Sequence, residues 1–336
     1  MAPAMAQPEA SIRVLALIYP IEKHVGHWAC SSDRLAIQRI MMSGPDVQDQ
    51  IIHTVKEFEP EVIAVCGKAA TAYLDMLDNL ALKVPCLTNI PRVFRMQNSS
   101  LLLQSKKTKH SKQLCCDLSL WFRLACDPRW SWVFVQTLND VDLVREHLLP
   151  VPVSACPYGY DTAVFDPELP ELQRDVDVGC YMNLRDHRGR QDLVAQAEAI
   201  CRRKGWSFNF VEGVYWHEYA RQIRRSKIVL HRSIYSEVPF RMYETTVFGT
   251  VFVTDPLKAQ VGELFEEGRE YMTYNRDLTN LEDVLEKLLT NDTLRQSISE
   301  NGRLRARQYA WPAIADKYVA PALMKLVRKR EVVLNS

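Results

Sequence analysis

Short, almost continuous apolar runs recur along this chain, and helical patterns separate many of them. The first run is Ile12–Ile18, and later ones cover residues 62–67, 84–88 and 130–135. A strand that is apolar at nearly every position is buried on both faces, as in a parallel sheet covered by helices. The alternation of strands and helices therefore predicts an α/β fold with doubly wound sheets.

A second series of the same kind follows a turn-rich stretch. Its strands are predicted over 176–181, 208–211, 227–231 and 251–253. A chain of 336 residues is long enough for two domains. We therefore predict a flexible tail over 1–10, a first Rossmann-like domain over 11–155, a linker over 156–175, a second domain over 176–310 and a final helix over 311–330.

Composition excludes several classes of protein. The 42 Lys and Arg residues nearly balance 41 Asp and Glu residues, which argues against nucleic-acid or membrane binding through overall charge. Nine cysteines without a repeated spacing indicate a reducing compartment. No histidine stands at zinc-ligand spacing from the cluster of Cys115, Cys116 and Cys126, so we expect no metal site. With no signal peptide and no apolar run of about twenty residues, no membrane span and a cytoplasmic location are expected.

Three common catalytic motifs are absent from the sequence. It contains no Gly-x-Ser-x-Gly, no Gly-x-x-x-x-Gly-Lys-Ser/Thr and no Gly-x-Gly-x-x-Gly. Their absence argues against a hydrolase with a nucleophile elbow, a P-loop NTPase and a typical NAD-dependent dehydrogenase.

The stretch 238–255 reads as a loop, a short helix, a glycine that ends the helix and a buried strand. Arg241 and Glu244 stand three residues apart, which places both on one face of the helix near its N-terminus. A helix N-terminus beside an arginine suits a phosphate, and the glutamate suits a pair of sugar hydroxyls. This pattern predicts a nucleotide-sugar site.

Motifs along residues 156–316 carry a family resemblance. They are Pro-Tyr-Gly-Tyr-Asp…Phe-Asp-Pro over 157–167, Ser-Lys-Ile-Val-Leu-His over 226–231, and Pro-Phe-Arg-Met-Tyr-Glu…Gly over 239–249. Together with 301–311 they resemble the nucleotide-sugar-binding half of a group-one GT-B glycosyltransferase, related to the spore-maturation subgroup. Residues 1–155 fit the fold but carry no matching motif.

The resemblance implies two Rossmann-like domains that face a cleft, with the acceptor on the first domain and the donor on the second. It also implies that the helix over 311–330 packs back on the first domain. The implied reaction is sugar transfer from a nucleotide-diphosphate donor, without a metal and with retention of configuration. No cofactor is expected, and the co-substrate is expected to be a UDP-type sugar.

Roles for individual residues follow from the same resemblance. It implies that Glu244 accepts hydrogen bonds from the donor ribose, although a helix-stabilising role is the alternative. Arg241 is a candidate for the donor diphosphate, the alternative being an ion pair with Glu237 or Glu244. Pro239 and Tyr243 belong to the same expected site. Where the wider family has another acidic residue eight positions before Glu244, this chain has Ser236, which puts that residue's contact with the sugar in doubt.

Two loops add further candidates. The loop after the strand over 176–181 carries Arg188 and Arg190, either of which could clamp a diphosphate at the carboxyl end of that strand. Tyr215 could stack on the nucleotide base from a loop over 215–218. His24 and His27 follow the first strand, and an inverting enzyme would need such a base near the acceptor hydroxyl.

Other functions remain open at this point. The missing acidic residue favours a non-catalytic nucleotide-sugar-binding protein of the same fold. A sugar-nucleotide epimerase and a glycosyltransferase that modifies a nucleic-acid base are further alternatives, although the near-zero net charge counts against nucleic acid. The expected partners are a nucleotide-sugar donor and an acceptor that the sequence does not identify, and a homodimer is also compatible with it.

Overall fold

The computed structural model divides the chain into two compact units, residues 1–157 with 311–336 and residues 158–310. The structure describes residues 11–18, 31–66, 70–95, 127–135, 141, 145, 151–184, 188–233, 238–257 and 261–334.

The first unit is built on a parallel sheet of six strands. The strands are β1 (Ile12–Ile18), β2 (Leu35–Met41), β3 (Val62–Cys66), β4 (Arg92–Arg95), β5 (Trp132–Val135) and β6 (Val153–Ala155), in the spatial order β2-β1-β3-β4-β5-β6. Helix α1 (Val47–Phe58) connects β2 to β3, and α2 (Ala70–Ala81) follows β3. Every residue of β3 is buried, as its apolar sequence predicts.

The second unit holds a parallel sheet of five strands. Its strands are β7 (Val176–Cys180), β8 (Phe208–Phe210), β9 (Ser226–Leu230), β10 (Val251–Thr254) and β11 (Met272–Thr273), in the order β11-β10-β9-β7-β8. Its helices are α3 (Arg188–Lys204), α4 (Trp216–Arg225), α5 (Phe240–Thr246), α6 (Val261–Leu264), α7 (Leu281–Thr290) and α8 (Asp292–Ala306).

In both sheets the second strand lies outside the first, and the third strand pairs on the first strand's other side. The chain reverses its direction of winding at that pair, which makes β7 and β9 the switch point of the second sheet. Ligands of doubly wound sheets bind beside such a point, at the carboxyl ends of the strands. The prediction of an α/β fold with two doubly wound sheets is confirmed.

One local prediction in the first unit fails, and two of its strands were not predicted. The strand expected over 84–88 is wrong, because Pro85–Asn89 is a 3-10 helix. Pro85 lacks the N–H group of an inner strand residue but suits the first turn of a helix. The strand that follows α2 is β4, and arginines at both of its ends hide it from an apolar pattern. Strand β2 also lacks a clear apolar pattern, because it has exposed polar residues at the sheet edge.

The end of the chain returns to the first unit. Helix α9 (Trp311–Ile314) leads through a π-helical turn (Ala315–Val319) into α10 (Ala320–Leu334), which contacts β1. In the π-helical turn, the Asp316 carboxylate accepts hydrogen bonds from the Ser32 hydroxyl and the Arg34 N–H. Across the described part of the chain, no helix combines the length and apolarity that a bilayer crossing requires.

Candidate functional site

The block over 238–255 folds as its sequence predicts. Pro239 stands in extended conformation at the N-cap of α5, and the first turn of the helix begins at Phe240. Gly249 has a φ of 67°, the left-handed region that favours glycine, and it turns the chain into β10. The helix, which the chain enters from the carboxyl end of β9, contacts β10, and Glu244 on it is buried.

Glu244 and Arg241 form an incompletely satisfied pair. Glu244 is only 7% exposed, and burial raises the pKa of its carboxyl group to about 7, although the charge of Arg241 opposes the rise. Arg241 lies over the Tyr219 ring, 5.6 Å from its centroid, and does not close into a salt bridge with Glu244. Within the described residues, its buried Nε has no hydrogen-bond partner. Such a group is costly to bury unless a ligand completes its hydrogen bonds.

His231 follows β9 directly and is 1% exposed. Its ring stacks on Phe252 with the centroids 5.5 Å apart, and neither ring nitrogen has a hydrogen-bond partner among the described residues. Burial lowers the pKa of His231 well below its ordinary value, and the charges of Arg241 and Arg190 lower it further. A neutral imidazole therefore follows β9 at the carboxyl edge, where the charges of two arginines act on it. From the motif over 226–231, the sequence predicted only that a strand ends here.

Arg190 holds together the two loops of the switch point. The guanidinium donates from Nε to the Arg232 carbonyl oxygen at 3.0 Å and from Nη1 to the Asn183 carbonyl oxygen at 2.8 Å. Arg190 is 7% exposed, whereas Arg188 is exposed at the first residue of α3. Of the two arginines that the sequence left as alternatives, Arg190 is buried in the site and Arg188 faces solvent.

Arg232 is a residue that the sequence analysis missed. A Cβ atom on Gly189 would lie 2.7 Å from Arg232 Nε, so the glycine permits the guanidinium to rest on the first turn of α3. The N-terminus of a helix carries partial positive charge, and a cation placed on it is repelled unless an anion lies nearby. This arrangement favours an anion at the N-terminus of α3.

Of the remaining predicted residues, Tyr215 is exposed and Tyr243 is buried. Tyr215 is 38% exposed and accepts a hydrogen bond from Asn183 Nδ2 at 3.3 Å, which places its ring at the rim of the site. The expectation of a loop over 215–218 is wrong beyond Tyr215, because α4 begins at Trp216. Tyr243 is buried between Phe265 and Tyr309, so it supports α5 from the core.

Several candidates lie outside the described residues. These are His24 and His27, the Ser236 and Glu237 positions, and the cluster of Cys115, Cys116 and Cys126. Among the residues that are described, no group of three or more His, Cys, Asp or Glu side chains has the geometry to hold a metal ion.

Comparisons with known proteins agree with this architecture. A family described as glycosyl transferase-like matches residues 183–320. No curated protein matches the chain significantly.

Solved structures match over most of the chain. Sucrose-phosphate synthase from Thermosynechococcus elongatus matches with a TM-score of 0.59 at 10% identity, over 97% of this chain and 100% of that one. HepE of Anabaena in complex with UDP and glucose matches with a TM-score of 0.59 at 13% identity, over 94% of this chain and 100% of that one. An α-glucosyltransferase in complex with UDP and a 13-mer DNA containing a HMU base matches with a TM-score of 0.55 at 11% identity, over 90% and 96%.

Identities this low establish the fold rather than the activity. The two parallel sheets and their flanking helices are those of these structures. The chain therefore has the α/β fold of the GT-B glycosyltransferase structures, and residues 183–320 match the glycosyl transferase-like family.

Proposed function

We propose that this protein transfers a sugar from a nucleotide-diphosphate donor, and that the donor binds at the carboxyl edge of the second sheet. The observation that carries the proposal is the buried Glu244 near the half-buried Arg241, whose buried Nε has no hydrogen-bond partner among the described residues. Two neighbours, HepE and the α-glucosyltransferase, have been crystallised with UDP. Their shared fold supports a UDP-type donor here.

Each end of the donor has a complementary group. In its ionised form, the Glu244 carboxylate can accept hydrogen bonds from two adjacent ribose hydroxyls, and such charge-assisted bonds are stronger than neutral ones. Arg241 can donate to a diphosphate oxygen from its Nε, for which the described residues supply no acceptor. Arg232 and the N-terminus of α3 offer a second positive surface to the same diphosphate. Tyr215 stands at the rim, where its ring could stack on the base.

The chemical step requires that the leaving diphosphate be stabilised as the bond to the sugar breaks. Arginines and helix N-termini that are already in position can supply that stabilisation. We therefore propose a reaction that needs no metal and that retains the configuration of the sugar. The neutral His231 ring can donate one hydrogen bond to the donor without adding a charge. Arg190 acts through the loops that it holds and is proposed as a positioning residue.

The first unit is proposed to bind the acceptor, whose chemistry is still to be determined. His24 and His27 remain candidates for the general base of an inverting enzyme, the alternative to retention.

A melting-temperature screen with UDP, GDP and dTDP tests the donor site. A ligand at about one hundred times its Kd stabilises the folded state by about 2.7 kcal/mol, which is readily measured. We expect UDP to give the largest shift and UDP-sugars to be hydrolysed slowly in the absence of an acceptor. If none of the three nucleotides raises the melting temperature, the donor site is refuted.

One alternative rests on a specific observation. Ser236 replaces an acidic residue of the wider family, which favours a protein that binds nucleotide sugars without transferring them. Binding of UDP-sugars with neither hydrolysis nor transfer to any acceptor in a panel would support this alternative. A nucleic-acid acceptor would instead show as DNA or RNA binding that weakens steeply as salt is added.

A further inference from the structure

A cleft of about 950 Å³ lies in the first unit, at the edge where its parallel strands begin. Pro91, Ser131 and Pro152 line it, and each directly precedes a strand of the sheet. Helix α10 contributes residues to its wall. The cleft is therefore at the amino edge of one sheet, whereas the proposed donor site is at the carboxyl edge of the other. Its volume is in the range typical of small-molecule sites.

Cations dominate the charged lining of this cleft. Its charged side chains are one carboxylate, Asp78, and five cations, which are Arg92, Arg129, Lys325, Lys329 and Arg330.

Carboxylates of α2 and of the segment before β5 hold two of these cations in place. Asp78 binds Arg92 Nη1 at 2.5 Å and Arg129 Nη1 at 3.0 Å, and Asp127 also binds Arg129. Burial opposes a lowered pKa at Asp78, but hydrogen bonds from both arginines lower it. The two guanidinium groups are thus oriented, and three nearby carboxylates, counting Asp75, offset their charge.

The other three cations lack such carboxylate partners in the described part of the chain. Among the residues that the structure describes, Lys325, Lys329 and Arg330 form no ion pair, and the buried Nε of Arg330 has no hydrogen-bond partner. Lys325 and Lys329 are four residues apart on α10 and therefore lie on one face of it. As far as the described side chains go, this wall of the cleft is positive without a matching carboxylate, and a phosphate group would neutralise it.

Apolar side chains form another part of the lining. Leu82 is 84% exposed at the end of α2, and Ile90, Trp132 and Leu326 contribute further apolar surface. A ligand that covers such an exposed aliphatic side chain removes apolar surface from water, and this stabilises the complex. The lining therefore combines an anion-binding wall with an apolar surface.

We propose that this cleft binds a phosphate monoester that carries an apolar chain, with the phosphate against Lys325, Lys329 and Arg330 and the chain against Leu82. Such a ligand could be a soluble alkyl phosphate or the headgroup end of a phospholipid. The two sources share the chemistry that the cleft recognises. The proposal does not depend on the donor site, because none of these residues belongs to the second unit.

Titration calorimetry with hexyl phosphate tests the proposal on the full chain. We expect saturable binding at one site per chain, weaker binding of inorganic phosphate and no binding of 1-hexanol at the same concentrations. The double variant Lys325→Gln/Lys329→Gln should bind hexyl phosphate about tenfold more weakly or worse, as expected for the loss of charge-assisted contacts. Because both lysines are exposed, the variant should keep its fold and its UDP-induced rise in melting temperature.

The matched control is Lys56→Gln/Lys287→Gln, which removes two exposed lysines outside the cleft. It should bind hexyl phosphate like the parent protein. Equal weakening in both double variants, or equal binding of hexyl phosphate and 1-hexanol, would overturn the proposal. Sedimentation with phosphatidic acid vesicles, against phosphatidylcholine vesicles, distinguishes the sources: binding to the former that hexyl phosphate displaces indicates a lipid, and no vesicle binding indicates a soluble ligand.

Discussion

Arg190 donates a hydrogen bond from its guanidinium Nε to the backbone carbonyl of Arg232, 42 residues later in the chain, at 3.0 Å. Because the same guanidinium also binds the Asn183 carbonyl, one side chain fixes the loops that follow β7 and β9. These loops flank the switch point of the second sheet, so the shape of the proposed donor site depends on a residue that need not touch the donor.

The variant Arg190→Lys tests that dependence. A lysine cannot donate in two fixed directions, so at least one carbonyl loses its partner, and we expect the free energy of unfolding to fall by about 2 kcal/mol. The affinity for UDP, measured by calorimetry, should fall about tenfold or more as the loops separate. Arg202→Lys, at the exposed far end of α3, is the control and should change neither quantity. Unaltered UDP affinity in Arg190→Lys would contradict the positioning role.

Glu244→Gln should remove donor binding without weakening the fold. The amide keeps the shape of the carboxyl group but removes a buried ionisable group, so we expect the melting temperature without ligand to stay level or rise. The rise that UDP causes should disappear. The measurement is a thermal melt with and without UDP.

A second buried glutamate provides the control for this variant. Glu270 is 6% exposed and pairs with Arg305, so Glu270→Gln should lower the melting temperature but preserve the UDP effect. Glu244→Gln should abolish the UDP response and keep the melting temperature, whereas Glu270→Gln should do the reverse, so the two variants together separate ligand binding from stability. A UDP response that persists in Glu244→Gln would refute the role of this carboxylate.

The contribution of Glu244 to the free energy of unfolding should decrease as the pH rises. Its pKa is about 7 in the folded chain against an ordinary 4.5, so the folded state holds more protons than the unfolded state between these values. Stability contributed by the protonated form is therefore complete below pH 4.5 and is lost as the pH rises to 7, by at most about 3 kcal/mol. Because His231 has the opposite pH dependence, the test is the difference in the free energy of unfolding between the parent protein and Glu244→Gln. Measured by denaturant unfolding at pH 5, 6, 7 and 8, the free energy of the parent minus that of the variant should decrease as the pH rises.

Donor affinity should follow the opposite trend, because the ribose hydroxyls bind the ionised carboxylate. We expect the affinity for a UDP-sugar to rise between pH 6 and 8. The diphosphate of a UDP-sugar does not titrate in this range, so the change reports on the protein. A flat profile in the parent protein would contradict the proposed contact.

His231→Phe tests whether the buried imidazole has a use beyond packing. The pKa of His231 is lowered in the folded state, so the neutral ring contributes stability that is present above its ordinary value of 6.5 and lost as the pH falls below it. A phenyl ring can keep the stacking on Phe252 and removes the buried nitrogens, so the variant should gain stability relative to the parent, most clearly at pH 5.5. Steady-state turnover of a UDP-sugar should nevertheless fall about tenfold or more. Full turnover in the variant would assign His231 to packing alone.

Gly189→Ala tests the contact between Arg232 and the first turn of α3. The new methyl group would displace the guanidinium, whose Nε and Cζ lie within 2.8 Å of the added atom. Since a flexible side chain can move away, we expect only a small change in the melting temperature and a several-fold loss of UDP affinity. The control is Ala199→Ser on α3, which changes helix propensity without touching Arg232. Gly205→Ala would not serve, because Gly205 has a φ of 72° and an alanine there would strain the backbone.

Local patterns predicted the most local parts of this site. The spacing of Arg241 and Glu244, with Gly249 behind them, specifies a helix and its end within nine residues, so the sequence was sufficient. The role of Arg190 rests on backbone carbonyls of two other loops, and no residue type signals such a partner. The burial of His231 arises from Phe252 on the neighbouring strand, which only the pairing of β9 with β10 reveals.

The first unit was harder to predict for a different reason. The strand β4 has arginines at both ends, and Arg92 is tolerated there because Asp78 on α2 neutralises it. A pattern based on apolar residues cannot detect a strand whose charge is compensated from another element. The cleft is even harder to predict from the sequence, because it places α10 beside residues more than two hundred positions earlier in the chain.

The return of Trp311–Leu334 to the first unit sets an order for biosynthesis. The ribosome makes the strands of the first sheet before the second unit, yet the helix that contacts β1 is made only after that unit. We expect the later-encoded unit to reach its native state while the earlier one still lacks its final segment. A nascent chain halted near residue 310 would thus expose apolar surface on β1's side and become a client for chaperones.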